Sequence, residues 1–117
     1  TLYHSSLVIS FTSSIAIDAA LFNKPIINVK FDTRPFDTSN RRPSRFYGTE
    51  HYSKLLATGG VKLVHDEDEL SFWIKNYLEN PELNSKERRR IVEEQCWKHD
   101  GQAGFRAANF ILNYLNQ

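Results

Sequence analysis

Methionine is absent from the 117 residues, and cysteine occurs once, at Cys96. A chain without methionine is expected to be a piece of a longer protein. It opens at Thr1-Leu2-Tyr3-His4 and reaches a strand-like run within a few residues. The lone cysteine excludes an internal disulfide and any cysteine-based zinc knuckle, and it suits a reducing, cytoplasmic setting. No apolar run approaches the ~20 residues that a membrane span needs, and no signal peptide is visible. The formal net charge is only +1. No global field therefore points to nucleic acid or an anionic membrane, and no nucleic-acid partner is expected. His4, His65, Cys96 and His99 lack metal-ligand spacing, so no metal site is expected.

What remains is enough for one small domain over residues 1–117. Apolar residues make up 40% of the chain, with eight Phe, five Tyr and two Trp, so a sizeable core is within reach. Leu7-Val8-Ile9-Ser10 is short, apolar and β-branched, as a buried strand would be. Phe11 to Ser14 is a hydroxyl-rich turn. Ile15 to Phe22 reads as a helix, apolar nearly all round, with Asp18 its only charge. Asn23-Lys24-Pro25 ends it, and Ile26 to Phe31 is a second strand. Two apolar strands joined by a helix make a βαβ unit with a parallel sheet.

Residues 32–50 form a long polar loop, with two prolines and four arginines between Asp32 and Thr49. Loops of this length are usually functional or disordered. A short helix over Glu50–Ala57, a break at Thr58-Gly59-Gly60 and a third strand at Val61–Val64 follow. Asp66-x-x-Glu69 is a capping-box signature. Leu70, Trp73, Ile74, Tyr77 and Leu78 then form an apolar stripe at helical spacing. Asn84-x-x-Glu87 is a second capping box, opening a helix to about His99. Gly101 is placed as a terminator. Gln102 to Leu115 forms a last helix, with Phe105, Ala108, Leu112 and Leu115 on one face. Within Arg88-Arg89-Arg90, the pairs Arg89–Glu93 and Arg90–Glu94 read as a solvated helix surface. Cys96 reads as a small core residue. The expected class is α/β, with a short parallel sheet of about three strands flanked by helices.

The chemistry concentrates between Ser10 and Phe31. Amides at a helix start lack intrahelical partners and sit at the positive end of the dipole, so they accept phosphate. Thr12, Ser13 and Ser14 add hydroxyl donors. Asp18 lies four residues beyond Ser14 on the same helix face, about 5.4 Å along. That separation suits a nucleotide diphosphate, with its phosphates on the turn and its ribose diol on Asp18. Two simpler readings stand beside this one. Ser13 or Ser14 can serve only as a helix cap, and Asp18 can bond back to Ser14 or pair with Lys24.

The run from Thr12-Ser13-Ser14 through Asp18 to Lys24-Pro25-Ile26-Ile27 resembles the donor-site segment of GT-B glycosyltransferases. The shared pattern is a hydroxyl turn, an acidic helix residue, and a proline seven residues later at the next strand. The segment, with Asp32 added, is similar also to that of CDP-glycerol glycerophosphotransferases and related surface-polysaccharide transferases. Asp100-Gly101-Gln102-Ala103 with Arg106 resembles a stretch near the C-terminus of such enzymes. Most of the chain is covered, but only Ser13 to Ile27 is specific. Many GT-B enzymes carry Glu where this chain has Asp18, and Gly in the turn where it has Ser.

The resemblance implies a partial Rossmann-like domain, the C-terminal, donor-binding half of an enzyme whose N-terminal domain supplies the acceptor site and any general base. It implies a cytoplasmic enzyme, peripheral at the inner face of a membrane in its full-length form. Its substrate is a nucleotide-diphosphate sugar, or a CDP-alcohol, and no separate cofactor is needed. A sugar-nucleotide epimerase and a non-catalytic binding module remain as alternatives. Arg34, Arg41, Arg42 and Arg45, in the loop after the second strand, are placed to meet donor phosphates or an anionic acceptor, unless the loop is merely solvated. His51 is placed to orient a sugar, unless it is an ordinary surface histidine. The first strand, without upstream neighbours, is expected to leave an open edge prone to self-association or covered by residues 1–6.

Overall fold

The structure, a computed structural model, describes residues 1–31 and 43–116, with no side-chain account of residues 43–45. Arg34, Arg41 and Arg42 lie outside the described residues, and the side chain of Arg45 has no description.

Among the described residues, three strands form the sheet: β1 (Val8–Ser10), β2 (Ile26–Val29) and β3 (Lys62–Val64). The order is β1-β2-β3, and both pairings are parallel. Val8 pairs with Ile26, and Val29 with Val64. The chain is thus α/β with a three-stranded parallel sheet, consistent with a partial Rossmann-like fold. Helix α1 (Ile15–Leu21) crosses from β1 to β2. After a 3-10 turn at Pro43–Gly48 come α2 (Glu50–Ala57), α3 (Glu67–Glu79), α4 (Ser85–Gln95) and α5 (Ala103–Leu115).

β2 is buried along its whole length, because helices cover both sheet faces. Alternation sends Ile26 into a cluster with Ala16, Ala19, Leu55 and Ile91. It sends Ile27 and Val29 to the other face, against Val64 and Tyr77. Each buried Ile, Leu or Val among them stabilises the fold by roughly 1.5–3 kcal/mol. β1 has a strand partner on one side only among the described residues, and Ile9 there is exposed. Gly60 lets α4 approach closely: a Cβ would meet the Glu87 carbonyl oxygen at 2.8 Å and the Arg88 nitrogen at 2.9 Å.

Several details differ from the sequence reading. The Asp66 carboxylate accepts from the Glu69 amide at 2.8 Å, as a capping box requires, but Glu69 Oε2 accepts from the His65 amide at 2.8 Å, one residue earlier than the motif predicts. Asn84 is not a side-chain cap: its φ is 60°, and its Oδ1 accepts from the Tyr77 hydroxyl at 2.9 Å. α4 ends at Gln95 rather than near His99, because Cys96 turns extended and packs half-buried against the core. Arg88 is fully buried rather than solvated. Arg90 pairs with Glu94 at 2.9 Å as expected. The apolar face predicted on the last helix exists, but α5 buries none of its residues against the described chain. No described helix is long and apolar enough to cross a membrane.

Candidate functional site

The hydroxyl turn Thr12–Ser14 joins β1 to α1 at the carboxyl edge of the parallel sheet, where such sheets bind ligands. The Ser13 side chain is the cap: its Oγ accepts from the Ile15 amide at 3.3 Å. Ser14, the formal N-cap residue, makes no side-chain cap bond. Capping therefore explains Ser13 and leaves the hydroxyls of Thr12 and Ser14 unexplained.

Asp18 is exposed on α1, and no described residue bonds its carboxylate. It makes no bond with Ser14 and no ion pair with Lys24, whose Nζ lies 6.0 Å over the Tyr3 ring instead. α1 is not apolar all round in its setting: Ile15, Asp18 and Leu21 share an exposed strip, while Ala16, Ala19 and Ala20 face the core. An exposed carboxylate requires no partner for stability.

Beside the turn lies a cleft of about 330 Å³. Thr12, Ser13 and Ser14 form one wall, and Thr49, His51 and Tyr52 stand on the α2 side. Ile17, Leu55 and the half-exposed ring of Phe46 complete it with apolar surface. A lining that combines polar groups with apolar surface is usual for small-molecule sites. The structure thus brings the three hydroxyl residues together with His51. Asp18 is not among the lining residues, although it lies one helical turn beyond Ser14. Hollows of about 360 and 480 Å³ lie against Asn23 and Glu82, near the C-terminal end of α1 and away from the turn. Position, not size, singles out the smaller cleft.

Beneath the cleft runs a buried polar chain that the sequence reading missed. Ser10 Oγ donates to Asn28 Oδ1 at 3.0 Å, and Asn28 Nδ2 donates to the Tyr52 hydroxyl. That hydroxyl lies 3.4 Å from the Phe11 carbonyl and 3.5 Å from the Ser13 amide. Neighbouring Tyr47, edge-on to Tyr52 with centroids 5.5 Å apart, donates to the Val29 carbonyl at 2.6 Å. Burial pushes both phenols above their ordinary range; bonds from Asn28 and Ser13 pull Tyr52 partly back. A signal was present in sequence. Asn28 interrupts a strand of aliphatics, and a buried amide needs partners.

The stretch at Asp100 closes on itself. Its carboxylate accepts from the Gln102 amide at 3.0 Å and from Arg106 Nη1 at 2.9 Å, which holds the carboxyl below its usual range. Arg106 also sits 5.5 Å over the ring of the exposed Trp97. Among the described residues, no cluster of three or more His, Cys, Asp or Glu side chains gathers as a metal site. Comparison with protein-family models, curated proteins and solved structures finds no match for this chain.

Proposed function

We propose that the cleft beside Thr12–Ser14 binds the diphosphate of a nucleotide-activated donor, and that the chain is the donor-binding part of a glycosyltransferase of the GT-B type. The observation that carries this reading is that two hydroxyl-bearing residues, Thr12 and Ser14, line the cleft without serving as side-chain caps. Hydroxyl donors at the carboxyl edge of a parallel sheet match an anionic, oxygen-rich ligand. Asp18, free of described partners and one turn away, takes the ribose diol. His51, on the opposite wall, meets the group attached to the diphosphate. Catalysis in this account is positioning plus electrostatic stabilisation of the leaving diphosphate. The acceptor site comes from another domain of the enzyme.

The reading is tested by nuclear magnetic resonance titration of the chain with UDP, CDP, GDP and the matching nucleosides. Saturable shifts at the Thr12, Ser13, Ser14 and His51 amides with a diphosphate, and weaker ones with its nucleoside, are expected. Shifts confined to other surfaces would refute the assignment. Titration with the corresponding nucleotide sugars separates a donor site from a general nucleotide site.

A further inference from the structure

The hydroxyl turn does not hold its shape by its own bonds alone. Ser13 caps Ile15 and Ser10 Oγ reaches the Phe11 carbonyl at 3.2 Å, but the Ser13 amide has no main-chain partner among the described residues. Beneath it stands the Tyr52 phenol, 6% exposed, contributed by α2 some 40 residues further on. A phenolic hydroxyl has one proton and two acceptor positions. Its surroundings match that inventory. Asn28 Nδ2 and the Ser13 amide are donors toward it, and the Phe11 carbonyl is an acceptor. Asn28 is fully buried on the central strand, and its Oδ1 is held by Ser10. The amide is therefore oriented from both ends: oxygen toward β1, nitrogen toward Tyr52.

We infer that Tyr52, oriented by Asn28, is the positioning residue of the candidate site: it fixes the Phe11–Ser13 backbone so that the Thr12 and Ser14 hydroxyls face the cleft. The inference rests on the proposed reading of that cleft as a phosphate site. Two consequences follow from the geometry. The Ser13 amide points at Tyr52, so an anion in the cleft is met by hydroxyls rather than by that amide. α2 becomes part of the site's frame, because the same phenol that lines the cleft also supports the turn. The bond from Asn28 ties the phenol to the central strand, and the contacts at 3.4 and 3.5 Å reach the turn from there.

Tyr52→Phe tests this, with Tyr47→Phe as its control. Each variant keeps its ring and loses one buried hydroxyl from the same aromatic pair, but only Tyr52 touches the turn. Amide hydrogen exchange is followed at Ser13 and at Lys30, whose amide bonds the Val64 carbonyl within the sheet region. In Tyr52→Phe, exchange at Ser13 is expected to rise about fivefold, the equivalent of one hydrogen bond, while Lys30 keeps its protection. UDP affinity should fall about fivefold and uridine affinity should not change. Tyr47→Phe should leave both the Ser13 exchange and the UDP affinity as they were. Unchanged Ser13 exchange in Tyr52→Phe would overturn the inference. So would equal effects of the two variants, or loss of protection at Lys30 together with Ser13. Should the unaltered chain bind no UDP, the donor-site reading falls, and the exchange arm alone decides whether Tyr52 positions the turn.

Discussion

Arg88 Nε donates to Asn23 Oδ1 at 2.9 Å, joining the start of α4 to the left-handed turn between α1 and β2. The guanidinium is fully buried, and its other nitrogens donate to the Leu83 carbonyl at 2.5 Å and the Pro81 carbonyl at 2.7 Å. Three oxygens from two segments are thus satisfied by one planar fork, which a lysine ammonium cannot reproduce.

Replacing Arg88 by Met keeps much of the volume and removes every donor. Three acceptors would be left without their partner, and the expected loss is about 3 kcal/mol of stability in urea unfolding. Arg88→Lys should lose less, on the order of 1–2 kcal/mol, because one ammonium can still serve part of the set. A change within experimental error for Arg88→Met would show that the fork is incidental.

How much of this is legible in the sequence depends on where the determining contacts lie. β2 was readable because burial on both faces leaves an aliphatic run, and Asp66 was readable because a cap acts on an amide three residues away. Arg88 was not. Its neighbours Arg89 and Arg90 and the glutamates after them fit a solvated helix, and nothing local reveals that Asn23, Pro81 and Leu83 converge on it. Asn84 misled for a related reason. The capping-box spacing is correct, yet Tyr77 claims the side chain. Of the site, the hydroxyl turn was legible and its support was not, because Asn28 and Tyr52 meet only through the packing of α2 on the sheet. α5 shows the converse: its apolar pattern is plain, but no described element receives it.

Tyr77 should make the fold sensitive to alkali. Burial pushes its phenol from the ordinary 10.0 up to about 12; nearby Arg88 opposes the shift and Glu87 adds to it. A folded-state value above the unfolded one means that the folded chain holds the proton longer. Its contribution to stability is complete below pH 10.0 and is lost as pH rises toward about 12. Denaturant unfolding across that interval should show stability falling with pH. Tyr77→Phe should begin lower, having lost the bond to Asn84, and should fall less steeply. Equal slopes for the two proteins would contradict the assignment.

α5 should contribute almost nothing to the stability of the remainder. Phe105, Phe110, Ile111, Leu112, Tyr114 and Leu115 are all more than half exposed, and the helix buries no residue. A chain ending at Gln102 is expected to unfold within about 0.5 kcal/mol of the full chain, the range of ordinary surface changes. A substantially larger loss would mean that α5 packs against the domain in solution.

That Thr12–Ser14 and Asp18 serve one ligand is tested by calorimetry on the unaltered chain and on Asp18→Ala. Each protein is titrated with UDP, CDP and GDP, and its melting temperature is recorded alongside. Saturable binding of at least one diphosphate by the unaltered chain is expected. Affinity should be about tenfold or more weaker in Asp18→Ala, the cost of losing hydrogen bonds to a charged acceptor. The melting temperature should be the same in both, because the carboxylate is exposed and has no described partner. Equal affinities in the two proteins, or no binding of any nucleoside diphosphate by the unaltered chain, would contradict it.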